Sequence, residues 1–191
     1  AWRGTGFADG AWSEGPSPLG YGDGDEAQEV GFVDADPGAG GIQKNATTYF
    51  RKVVAITTPS AYGEFKLDYV FDDAIVIYVN GNEVERIHLE DEAPFDQYAT
   101  LESDDNETGT VILNPAVFLP GNNIIAVEIH QLSGVSSDIS FDLELRGQPA
   151  GGGGIHSSAP LGLVESGWLY SRSYNPGTGD WSALNAAYFS V

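Results

Sequence analysis

Three groups of residues in this chain are of types and spacing that could do chemistry. The first is Glu128, His130 and Gln131 in the run Ala126-Val127-Glu128-Ile129-His130-Gln131, with Ser136-Ser137-Asp138 close behind. On a strand Glu128 and His130 share one face, which sets a carboxylate beside an imidazole. That pairing suits a general base or half of a metal site. No nucleophile is coupled to it and no second histidine clusters with it, so a framework role outweighs catalysis. No catalytic residue is assigned. His88 and His156 stand alone and read as exposed histidines.

The second group is carboxylate. Asp72-Asp73 precedes an Asn-Gly turn, a position open to a Ca²⁺ ligand pair, to the acids of glycoside hydrolysis, or to hydrogen bonds that shape the turn. Asp23, Asp25 and Glu26, then Asp34 and Asp36, place carboxylates at near-alternating loop positions, as hard-cation sites do. No twelve-residue loop with ordered ligands is present. Asp23, Asp25, Asp72 and Asp73 are the candidate Ca²⁺ ligands. Asp104, Asp105 and Glu107 read as a solvated tip.

The third group could hold a glycan. Trp12, Tyr21, Tyr62 and Tyr98 supply aromatic faces, and Asp23 and Arg51 supply planar polar partners. The competing role for such rings is to fill a core and tie off one hydrogen bond each. Asn45-Ala46-Thr47 and Asn106-Glu107-Thr108 match the glycosylation sequon. The glycine-rich segments do not lead from a strand into a helix, which excludes a nucleotide cradle.

The elements that must position these groups are strands. Tyr49–Ile56, Phe65–Phe71, Ile75–Asn80, Glu83–His88, Thr110–Leu113, Asn123–Gln131 and Ile139–Arg146 are short, β-branched or aromatic, and bounded by turn residues. Phe141, Leu143 and Leu145 alternate with Asp142, Glu144 and Arg146, giving one apolar and one wet face. Asn80-Gly81 predicts a tight hairpin, because its turn needs two residues that tolerate positive φ. The only helical signal is one turn at Asn114–Leu119. Residues 1–46 are broken by glycine and proline throughout and suit a loop wrapped over a sheet. Residues 149–160 read as a glycine-rich linker. Residues 161–191 read as a hairpin around Asn175-Pro176-Gly177-Thr178-Gly179-Asp180, and a hairpin alone is marginal in water.

Composition narrows the partners. Twenty-eight acidic residues against eight basic ones give a net charge of −20, which repels nucleic acid and anionic membrane surfaces. Either a heavily solvated surface or Ca²⁺-holding clusters would account for it. No apolar run approaches the roughly 18 residues a membrane helix needs. With no cysteine, disulfides, thiolate metal sites and thiol nucleophiles are excluded. The lack of any methionine suggests a processed or excised portion of something longer.

Thr47-Thr48-Tyr49-Phe50-Arg51-Lys52, Phe71-Asp72-Asp73, Ile75-Val76-Ile77-Tyr78-Val79-Asn80-Gly81 and Leu119-Pro120-Gly121-Asn122-Asn123-Ile124 together resemble the galactose-binding-like β-sandwich of secreted bacterial proteins. Residues 161–191 resemble the last hairpin of the chitobiase C-terminal-type β-domain. The resemblance implies an all-β jelly-roll sandwich over residues 1–148, an extracellular location, and a framework role for the Glu128–Gln131 phrase. It also implies that a strand usually preceding Ala1 is missing, an opening that residues 161–191 could fill in their own sandwich or in a neighbouring copy. The plainer alternative is that both ends are cuts through a longer protein. Trp168, Tyr170, Tyr174, Trp181, Tyr188 and Phe189 are the candidate assembly residues. The expected function is a non-catalytic structural or adhesive module whose partners are its own copies or neighbouring domains. The alternative is a carbohydrate-binding module beside a secreted enzyme.

Overall fold

Ten residues from Tyr62 to Phe71 alternate between core and outside because Phe65, Leu67, Tyr69 and Phe71 fall on one face of the pleat and Lys66, Asp68 and Val70 on the other. The same logic builds most of the molecule. The computed structural model describes residues 2–38, 41–103, 106–150, 166–171, 173–175, 177, 180–182 and 185–190. These fall into two units, residues 1–150 and residues 151–191.

The first unit contains β1 (Leu19–Tyr21), β2 (Gln28–Glu29), β3 (Thr47–Ile56), β4 (Tyr62–Phe71), β5 (Ala74–Val79), β6 (Asn82–Ile87), β7 (Glu107–Leu113), β8 (Gly121–His130) and β9 (Ile139–Pro149). They form a five-stranded sheet, β2-β1-β9-β4-β7, and a four-stranded sheet, β3-β8-β5-β6. All pairings are antiparallel except β1 with β2. The two sheets pack face to face as an all-β sandwich. Phe65, Leu67 and Phe71 from one sheet meet Ile75, Ile77, Val127 and Ile129 from the other, and each such side chain contributes about 1.5–3 kcal/mol on burial. Single 3₁₀ turns at Pro59–Ala61 and Pro115–Val117 are the only helical segments among the described residues, and none is long enough to cross a membrane.

The Asn80-Gly81 turn has the predicted form. Both residues have positive φ, 51° and 87°, and join β5 to β6 as a two-residue hairpin. Gly20 is required for a different reason: a Cβ there would sit 2.1 Å from the Ile139 carbonyl oxygen, so only glycine lets β1 lie against β9.

The four-stranded sheet is covered on its outer face as well. Ala74, Val76, Tyr78, Ile124 and Ala126 point away from the main core, yet Leu89, Ala99, Trp2, Ala93 and Leu132 cover them. Every residue of β5 is therefore buried.

In the second unit, β10 (Gly167–Ser171) pairs with β13 (Asn185–Phe189), and β11 (Tyr174–Asn175) pairs with β12 (Asp180–Trp181), all antiparallel. The β11–β12 pairing sets Tyr174 opposite Trp181 and Asn175 opposite Asp180, on either side of the segment the sequence reads as a turn.

Candidate functional site

His130 and Glu128 lie on the outer face of β8, under the loop of residues 88–103. His130 is fully buried. Its Nε2 is 3.1 Å from Glu128 Oε2, and its Nδ1 is 2.7 Å from the Gln97 carbonyl oxygen. Thr47 Oγ1 lies 3.1 Å from the same Nδ1 and donates to the Phe95 carbonyl at 2.5 Å. Each ring nitrogen thus faces an acceptor inside the protein, and the ring itself is fully buried. The group ties β3 and β8 to the covering loop.

Asp72 and Asp73 are 4% exposed and occupy the crossing from β4 to β5. Asp73 accepts from the backbone N–H of Leu132 at 2.6 Å and of Ser103 at 3.4 Å, and Asp72 accepts from Ser103 Oγ at 2.7 Å. The two carboxylates pin separate loops to one point. Burial, followed by the adjoining Asp73 and the Asp138 charge, pushes Asp72 up to about 7, although the Ser103 bond works the other way. His88 is not an exposed histidine: its Nδ1 lies 3.0 Å from the Asp73 carbonyl oxygen and its ring packs near Phe71.

Asp23 and Asp25 come together with Glu26, their carboxylate oxygens within 4.8 Å of one another, and this exposed triad could hold a metal ion. Glu26 already accepts the N–H groups of Asp23 and Gly24, at 3.1 and 3.0 Å, and Asp23 accepts from Ser140 Oγ at 2.7 Å. Free lone pairs remain on all three, so the donor set fits a hard cation such as Ca²⁺. Asp72 and Asp73 do not join this triad.

The sugar candidates part company. Arg51 is held under the amino-terminal segment by Asp9 and by the Gly4 carbonyl at 2.8 Å, with its side chain 3% exposed. Tyr62 stacks on Phe65, 4.6 Å between centroids. Tyr98 is exposed beside Gly134. Trp12 and Tyr21 do meet, as walls of a groove of about 240 Å³ shared with Gly31, Phe32, Asn45, Thr47, Thr48 and Tyr49. Tyr21 donates from its hydroxyl to Gln131 Oε1 at 3.1 Å, and burial pushes that hydroxyl up to about 12. Lys44 stands over the Tyr21 and Phe32 rings, at 4.2 and 4.8 Å from their centres. Phe32 and Tyr49 were not singled out by sequence. Phe32 sits in a glycine-broken stretch without periodicity, and Tyr49 reads as an ordinary strand residue.

A larger trough of about 510 Å³ crosses the outer face of the five-stranded sheet, lined by Asp68, Thr108, Thr110, Asp142 and Glu144 among others. Of the assembly candidates, Tyr188 is 58% exposed. Trp168, Tyr170, Tyr174, Trp181 and Phe189 lie on the four C-terminal strands, and their side chains fall outside the described residues. His156, Asp104 and Asp105 also lie outside them. No protein-family model matches the chain, and no curated protein matches it either.

Proposed function

We propose that this chain is a non-catalytic structural or adhesive module of a larger secreted or surface protein. One observation carries the reading: the groups best suited to catalysis are spent inside the fold. His130 bonds to the Gln97 carbonyl and Glu128, and Asp73 bonds to the Leu132 and Ser103 N–H groups, and both side chains are buried. A general base must reach the proton it removes, and these cannot. The likeness to the jelly-roll, galactose-binding-like sandwich supports the same reading by fold analogy. Such a module acts outside the cell, and the Asp23–Asp25–Glu26 triad would take Ca²⁺ there. A panel of glycosidase, esterase and phosphatase substrates should show no turnover. Turnover that disappears in Glu128→Gln or Asp72→Asn would overturn the proposal.

A second reading, carbohydrate binding, is favoured by the groove where Trp12, Tyr21 and Phe32 bring aromatic faces beside Asn45 and Thr48. Retention on a polysaccharide affinity gel, abolished by Trp12→Ala, supports it. No retention removes it.

A further inference from the structure

Three loops meet at one end of the sandwich and turn apolar side chains outward: residues 31–45, residues 88–103 and residues 131–138. The Lys44 N–H donates to the Gly134 carbonyl at 2.8 Å, and the Ala99 N–H donates to the Gln131 carbonyl at 3.0 Å. Asp34 forms a β-bridge with Lys44 inside the first loop. Gly134 marks the junction, since a Cβ there would lie 2.6 Å from Gln43 Oε1 and 2.8 Å from the Tyr98 hydroxyl oxygen. Around it Val33, Ile42, Phe95, Tyr98 and Val135 are all exposed, Phe95 by 71% and Val135 by 69%. One exposed apolar residue needs no explanation, but five on loops that touch form a patch, and such patches mark interaction surfaces. Its surroundings are carboxylate. Residues 88–103 carry Glu90, Asp91, Glu92, Asp96 and Glu102, all exposed, and no Lys or Arg. Asp34 and Asp36 are two more exposed acids. Lys44 is the one Lys or Arg on the three loops, and its Nζ is turned onto the Ser136 and Ser137 carbonyls at 2.6 and 2.9 Å.

We propose that this loop end is a docking surface for a protein partner whose own apolar side chains are set among lysines and arginines. The inference rests on the adhesive reading above and names the kind of partner that the module binds. The apolar side chains form the dry centre of the contact and the carboxylates its charged rim, the arrangement that protein interfaces share. The rim decides between occupants. A second copy cannot supply the complement: its eight basic residues are scattered along the chain, and Arg51, Lys66, Arg86 and Arg146 each already face a carboxylate. Residues 151–191 hold only Arg172 against Glu165 and Asp180, so they are not basic either. An anionic membrane surface is repelled by the same acids. A basic partner gains twice, because charge speeds the encounter and apolar burial holds the complex together.

The test titrates the full chain with two synthetic peptides of equal length and charge, one alternating leucine with lysine, the other serine with lysine. The leucine peptide should bind about tenfold or more tightly than the serine peptide, because only it can bury apolar surface. It should shift the amide resonances of residues 42–44, 95–98 and 133–136 first, and added salt should weaken it, since the rim acids are exposed. Phe95→Ser combined with Val135→Ser should erase the difference between the peptides. Leu119→Ser, at a side chain 54% exposed on a different loop, should leave it unchanged. An unaltered melting temperature checks that both variants fold. No binding of the leucine peptide, equal affinity for the two peptides, or resonance shifts confined to other residues overturns the proposal. So does mass that rises with concentration in the wild type but not in the double variant, which would make the occupant a second copy. Cosedimentation with phosphatidylcholine vesicles, lost in the double variant, would make it a lipid surface and overturn the proposal too. Substrate turnover would sink the adhesive reading instead, whatever the peptides do.

Discussion

The two sheets of the sandwich share a core but live in different solvents. The five-stranded sheet keeps one face in water, where Asp68, Glu144 and Arg146 form ion pairs that stay exposed. The four-stranded sheet has no wet face over β5 and most of β8, because the amino-terminal segment and residues 88–103 lie across it. Polar groups on the first sheet choose between water and a neighbour. Those on the second have only neighbours, so each must be bonded within the protein or lower its stability. That is why Glu128, His130, Thr47 and Asn123 all appear in hydrogen bonds, and why chemistry-bearing residue types on a covered sheet are poor evidence of catalysis.

A matched pair of substitutions would break this contrast if it is wrong. Val76 and Val70 both point away from the main core, one on each sheet, but Val76 is fully buried and Val70 only partly. Val76→Asn should cost about 3–5 kcal/mol, because an amide without partners replaces packed methyl groups. Val70→Asn should cost less than about 1 kcal/mol, since water reaches the new group. Equal losses in chemical denaturation would show that the outer cover is loose.

Asn123 sharpens the same point. It is fully buried, and its amide uses all its main valences: Oδ1 accepts from the Leu119 N–H at 2.7 Å and from Asn80 Nδ2 at 2.8 Å, while Nδ2 donates to the Leu119 and Gly121 carbonyls at 2.8 and 3.0 Å. Asn123→Ala should therefore lower stability by about 2–4 kcal/mol, as several buried backbone groups lose their partner at once. An unchanged denaturation midpoint would mean water replaces the amide there.

Asp72 stands where the chain passes from the wet sheet to the covered one, and its effect is on pH dependence. Its carboxyl is raised from 3.8 to about 7 in the folded chain. Between those values the folded state binds the extra proton, so stability falls as pH rises through that window. Asp72→Asn removes the titrating group. The melting temperature of the wild type should drop more between pH 5 and pH 8 than that of the variant, by on the order of a few degrees. Parallel curves would show that Asp72 is not held in its raised state.

How much of this was legible in the sequence follows the same division. The alternation of Phe65–Phe71 and Phe141–Arg146 exposes the wet sheet directly, because period two survives only where one face stays polar. The strands of the covered sheet are recognisable from β-branched composition, and Asn80-Gly81 marks their hairpin. Their second cover is not recognisable. Leu89, Ala93 and Ala99 carry no periodicity, and nothing local says that Trp2 will pack on Tyr49 and Tyr78. Arg51 reads as an exposed sugar partner for that reason, when the cover in fact buries it. The acidic triad was half visible: Asp23, Asp25 and Glu26 are close in sequence, whereas the distance separating them from Asp72 and Asp73 is a property of the fold.

The smallest effect belongs on the wet face. Asp68 accepts from Thr110 Oγ1 at 2.6 Å and pairs with Lys66 at 3.0 Å and with Arg146. The Thr110 hydrogen bond first, then those from Lys66 and Arg146, hold its carboxyl well below the usual range. A depressed carboxylate supplies stability above its unfolded value and loses it as pH falls through the folded one, so any contribution disappears only in acid. Water and salt screen exposed pairs of this kind and leave them little net worth. Asp68→Asn should leave the neutral-pH denaturation midpoint unchanged within error and alter only the acid limb of the stability curve. A neutral-pH loss comparable to that of Asn123→Ala would mean that the Asp68 trough is shielded from solvent, and the contrast between the two sheets would no longer hold.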